Sequence, residues 1–151
     1  MTQAVLIDLA TRAFERSPWH SLMAALEEVT LEAFTALPQR NNGFPWMDGS
    51  IRDIVYHVTG DKLVQVNHAF GDGDINWENI SIHKTDKETM MADLVASHSI
   101  VIQAIKRTDD LQAKVTGWGG KRLSAVDFFV MLIEHDLYHA GQIRYIRNLV
   151  E

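Results

Sequence analysis

Chain breakers are scarce in this sequence and fall in groups. The 151 residues contain nine glycines and three prolines, placed so that long stretches run uninterrupted, which favours helices over many short strands. Residues 2–15 carry Val5, Leu6, Leu9 and Ala13 at helical spacing. Ser17-Pro18 reads as an N-cap followed by proline at the first helical position, opening a helix that Pro38 closes. A loop over residues 41–49 follows, and Ser50-Ile51-Arg52-Asp53 forms a capping-box pattern with Asp in place of Glu, starting a helix that Gly71-Asp72-Gly73-Asp74 ends. Thr85-Asp86-Lys87-Glu88 opens another helix, reaching about Thr108. Residues 113–122 read as loop or short hairpin, and Ser124 caps a last helix running almost to the C-terminus. The expectation is a single all-α domain over residues 1–151, a four-helix bundle with an extra N-terminal helix. The longer connections suggest a mixed topology.

Composition narrows the function classes. The chain is 46% hydrophobic and 23% charged, the balance of a globular protein with one core. No apolar run approaches the ~20 residues of a membrane span. The N-terminus lacks a basic start and places Asp8 within its apolar stretch, against a cleaved secretory signal. Without cysteine there is no disulfide scaffold, thiolate metal site or cysteine nucleophile, and a reducing, cytoplasmic setting is expected. A net charge of −6, with basic residues scattered, argues against nucleic acid as a partner.

The last helix carries the informative constellation, Glu134-His135-Asp136-Leu137-Tyr138-His139-Ala140-Gly141-Gln142. His135 and His139 stand at i, i+4, one turn apart on one face, the spacing for two nitrogen ligands on one ion. That face also presents Phe128, Met131, Leu132, Ile146 and Leu149, so it is a core stripe interrupted by polar groups that need partners. A third ligand from a facing helix is available in His57, flanked by Asp53 and Asp61, either of which would fix its tautomer. Three histidines with open positions form a catalytic type of metal site, where water becomes acidic enough to act near neutral pH. On spacing alone, histidines satisfied by core hydrogen bonds or simply exposed are the commoner reading. The zincin motif is absent, because Asp136 rather than Glu follows His135.

The run His135-Asp-Leu-Tyr-His139-Ala-Gly-Gln142-Ile, with His57 seven residues after Ser50, resembles the DinB-like superfamily of metal-dependent enzymes, which includes bacillithiol transferases and mycothiol-dependent enzymes. The resemblance covers roughly residues 17–149. It implies that His57, His135 and His139 are metal ligands, that the ion is zinc or nickel, and that the chain forms a homodimer. One departure concerns the tryptophan that often precedes the second helix cap: Gly49 holds that place and Trp46 lies three residues earlier.

Other positions are read more plainly. Gln142 is an outer partner of the site or a satisfied helix neighbour, and Gly141 a point of close helix packing. Asp61 is an outer acceptor, a further ligand, a proton acceptor or a solvated carboxylate. His68 lies about 16 Å from His57 along the helix, too far to share its ion. His20, His83 and His98 have no sequence partner. Asp72-Gly73-Asp74 begins like a calcium loop, but Trp77 and His83 replace its glycine and final glutamate. Trp46, Trp77 and Trp118 fall in loops, where a tryptophan plugs a core end or roofs a substrate pocket; Trp118 and Trp46 are the expected substrate contacts. A second apolar stripe on the last helix, Val130, Ile133, Leu137 and Ala140, calls for a cover from the first helix or a two-fold partner. The function expected is a metal-dependent transfer of a low-molecular-weight thiol, or hydrolysis, on a small molecule. A non-catalytic metal- or ligand-binding bundle is the alternative.

Overall fold

The computed structural model describes residues 1–38 and 48–151. The order is α1 (Gln3–Thr11), prolonged by a π-helical turn Arg12–Arg16, then α2 (Leu22–Leu26), α3 (Leu31–Thr35), α4 (Ile51–Phe70), α5 (Lys87–Arg107), β1 (Lys114–Thr116), β2 (Arg122–Ser124) and α6 (Ala125–Val150). The all-α expectation holds, and residues 113–122 do contain a hairpin arm. β1 and β2 pair antiparallel with Val115 opposite Leu123, around a turn where Gly119 and Gly120 have φ of 81° and 79°.

The long helices start where the caps place them. Ser50 Oγ accepts from Asp53 N at 3.1 Å, and Ser124 Oγ accepts from Asp127 N at 3.2 Å. Asp86, rather than Thr85, caps α5 by accepting from Thr89 N at 2.8 Å. Residues 18–38 differ from the single helix expected. Ser21, not Ser17, caps α2, and the chain breaks at Glu28, which has a φ of 59°. Arg147 of α6 donates to the Ala25 and Glu27 carbonyls at 3.2 and 2.9 Å, and the Lys87 ammonium donates to the Val29 carbonyl. Distant cations thus satisfy the carbonyls freed by the break, and Thr30 caps α3.

The core has two apolar ends. One gathers Phe14, Leu22, Phe34, Ile54, Val58, Leu94 and Ile143; the other gathers Leu6, Val66, Val101, Ile105, Phe128 and Leu132. Between them lies a layer of buried polar residues, Thr59 and Lys62 of α4, Ser97 and His98 of α5, and Asp136 and His139 of α6. α1 buries Leu6 and Ala10 and packs on α5 and α6, with Val130 and Ile133 partly covered at that end. Leu137 stays 42% exposed. No described helix is long and apolar enough to cross a membrane.

Candidate metal centre

The polar layer reaches the surface between α4 and α6, and His57, His135 and His139 meet there. His57 Nε2 lies 3.1 Å from His135 Nε2, which lies 2.9 Å from His139 Nε2. An ion ~2.0–2.1 Å from each nitrogen would subtend roughly 90–100° across such separations, so the spacing fits three ligands gathered on one side of an ion. Among the described residues this is the one group of three or more histidine, aspartate or glutamate side chains so gathered.

The outer nitrogens explain why the inner ones converge. His139 Nδ1 faces Gln142 Oε1 at 2.7 Å, while Gln142 Nε2 donates to Tyr138 Oη at 2.9 Å. In this arrangement His139 carries its proton on Nδ1 and turns a lone pair inward. His135 Nδ1 is buried without a hydrogen bond among the described residues, and Asp61 Oδ2 faces it at 3.6 Å, which favours the Nδ1–H tautomer. Two lone pairs 2.9 Å apart repel unless a cation lies between them. Burial first, then the neighbouring imidazole charges and Lys62, holds both His135 and His139 down to about 3. Burial also lowers His57, opposed by Asp61. All three are neutral at pH 7, the state in which imidazole binds metal.

Asp61 and Gln142 therefore sit behind the His135 and His139 rings. Burial raises the Asp61 carboxyl, opposed by His57, Gln65 and Lys62. Asp53 is not a partner of His57, because its carboxylate accepts from Asp48 N at 2.9 Å at the start of α4. Asp61→Asn and Gln142→Ala are each expected to weaken metal binding by about 10–100-fold without abolishing it, the usual scale for such partners. Titration with a competing chelator checks this.

The loop tryptophans take different places. Trp77 stacks on the His57 ring, with centroids 5.7 Å apart and planes 6° apart. It rests on Gly60, where an added Cβ would meet its ring at 2.4 Å. Gly60→Ala is expected to push Trp77 off His57 and cost ~1–3 kcal/mol by overpacking; thermal unfolding and Trp fluorescence would register it. Trp118, 44% exposed, donates its backbone N–H to Gln65 Oε1 at 3.1 Å, and Gln65 Nε2 donates to Asp61 Oδ1 at 3.4 Å. The hairpin turn is thereby tied to the site. Trp46 lies outside the described residues. Among the described residues an added Cβ on Gly141 would meet nothing within 4 Å, so no packing against them requires glycine there.

The other histidines are placed elsewhere. His68 Nε2 contacts the Ile75 carbonyl at 3.0 Å, and His83 pairs with Asp93 at 2.7 Å. His20 is exposed, whereas His98 is buried and stacks on Phe14 with centroids 3.9 Å apart. Burial, reinforced by Lys62, holds His98 down to about 4. His98, His135 and His139 give the metal-free protein a signed pH dependence. Their unfolded values lie near ~6.5, so below that the unfolded chain binds more protons. Their contribution to stability is expected to be full above about pH 6.5 and to fall as pH drops toward the folded values, measurable by denaturant unfolding.

Two neighbours of the site were not singled out by sequence reasoning. Lys62 and Asp136 form an ion pair almost wholly inside the protein, at 1% and 4% side-chain exposure. A signal existed: Lys62 lies four residues from both Val58 and Val66, and Asp136 four from both Leu132 and Ala140. Opposite charges on the buried stripes of two helices imply a pair.

Fold and site together define a helical bundle with three histidines placed to hold one metal ion. A sequence model of the DinB superfamily matches residues 9–143, and the chain belongs to that superfamily. No curated protein and no solved structure matches it significantly.

Proposed function

We propose that this chain is a metal-dependent enzyme that transfers a low-molecular-weight thiol to a small electrophilic molecule, or hydrolyses a small molecule at the same site. The observation that carries this reading is the convergence of three imidazole Nε2 atoms, two of them turned inward by neighbours on Nδ1. His57, His135 and His139 hold the ion, zinc or nickel, both suited to imidazole. Bound there, a divalent ion supplies Lewis acidity, which makes water or a thiol nucleophilic near neutral pH. The chain has no cysteine, so a transferred sulfur comes from a cosubstrate.

The chain's own residues prepare the site for that chemistry. Gln142 holds the His139 tautomer by a hydrogen bond, and the Asp61 carboxylate 3.6 Å from His135 Nδ1 favours the matching tautomer there, leaving both Nε2 lone pairs free. Trp77 walls the His57 side, and Trp118 and Trp46 serve as the substrate contacts. A closed, non-catalytic binding module would need a fourth donor. Asp61 is the near carboxylate, and it faces His135 Nδ1 rather than the Nε2 cluster, which supports an open site. We further propose a single domain over residues 1–151, working in the cytoplasm as a homodimer. The exposed row Leu137, Tyr138, Tyr145 and Leu149 on α6 supplies the partner surface, and sedimentation velocity tests it.

The test of activity is a panel of thiols crossed with electrophiles, using metal-loaded protein without an affinity tag. Thiol-dependent consumption of an electrophile is the expected result. Turnover without added thiol would replace transfer by hydrolysis, and stable metal binding with neither activity would establish the binding module.

A further inference from the structure

The Lys62–Asp136 pair lies beside the metal centre. Lys62 follows Asp61, whose carboxylate faces His135, and Asp136 follows His135 itself. The Lys62 ammonium also sits 5.4 Å from the centroid of the Phe14 ring, on which His98 stacks. Such a pair is not explained by stability alone. Desolvating two charges costs about as much as their attraction returns, and apolar residues of similar volume often serve as well or better. An ion pair supplies direction, which apolar packing does not.

Direction matters at this interface. α4 packs chiefly on α5 and meets α6 over a shorter stretch, yet His57 comes from α4 and its two companions from α6. A ligand nitrogen ~6 Å from its helix axis moves about 1 Å when the helix turns by about 10°. Metal and catalytic constellations must be held within about 0.5 Å. Apart from the longer Asp61···His135 contact, Lys62–Asp136 is the ion pair joining α4 to α6 among the described residues.

We propose that Lys62 and Asp136 are positioning residues of the metal centre, setting the rotation and register of α4 against α6 so that His57 meets His135. The inference rests on the three-histidine metal reading. Neither residue binds the ion.

The test replaces both charges, because a single substitution would strand the other. Lys62→Met/Asp136→Val fills the layer with apolar groups, and Lys62→Gln/Asp136→Asn removes charge while keeping polar side chains. Tag-free wild type and both double variants are titrated with cobalt(II), reading affinity and the visible ligand-field spectrum, with metal-free stability measured in parallel. The expected result is a folded variant of near wild-type stability that binds cobalt about 10–100-fold more weakly and with an altered spectrum. Wild-type affinity and spectrum in either folded variant would overturn the proposal. So would an affinity loss that only follows lost stability, with the spectrum unchanged. Failure of both variants to fold would also overturn it, making the pair structural. Wild type that binds no cobalt would instead sink the metal reading, and the proposal with it.

Discussion

Lys62→Met is expected to lose ~3–5 kcal/mol of folding stability, because it leaves the Asp136 carboxylate buried without its cation. For a domain of this size that is a fall in Tm of roughly 6–20 °C. The loss has a pH signature. Burial already raises the Asp136 carboxyl, opposed by Lys62 and reinforced by Asp61, and removing Lys62 removes the opposing charge. A carboxyl whose folded value lies above its unfolded one stabilises below the unfolded value and loses that contribution as pH rises through the folded value. The variant's deficit should therefore grow from acid toward neutral pH. Denaturant titrations of wild type and variant across that range measure it, and a deficit independent of pH would mean that Asp136 stays ionised without Lys62.

His135→Ala is expected to weaken metal binding by well over the ~100-fold that outer partners cost, since His135 Nε2 contacts both other ligand nitrogens. Its effect on the metal-free protein should run the other way. The substitution removes a buried imidazole whose Nδ1 has no hydrogen bond and whose lone pair faces that of His139. The metal-free variant is thus expected to be as stable as wild type, while wild type alone gains Tm on adding zinc or nickel, as mass action requires. A calorimetric scan with and without metal separates the two effects. Equal metal-induced gains in both proteins would remove His135 from the site.

Local signals made much of this molecule legible. Ser50, Ser124 and the i, i+4 histidines act within one or two turns of their own helix, so residue types and spacing reveal them. His57 is available as a third ligand from its place on a capped helix, but only the resemblance to the superfamily joins it to them, because no local rule says which helices face each other. The features that escaped depend on distant groups. The break at Glu28 is held by Arg147 and Lys87, more than fifty residues away. Asp53 and Asp61 look alike around His57, but the Asp48 backbone N–H takes the first and His135 faces the second. Trp77 rather than Trp118 covers the His57 ring because Gly60 leaves a seat for it.

The central claim is that one ion is shared by His57 from one helix and His135 and His139 from another. Elemental analysis of protein purified without tag or chelator, then loaded with zinc or nickel, tests it most directly beside the His57→Ala, His135→Ala and His139→Ala variants. About one equivalent of metal per chain, lost in every variant, is the expected result. A wild type that stays empty after loading, or binding that survives the loss of His57, would contradict it.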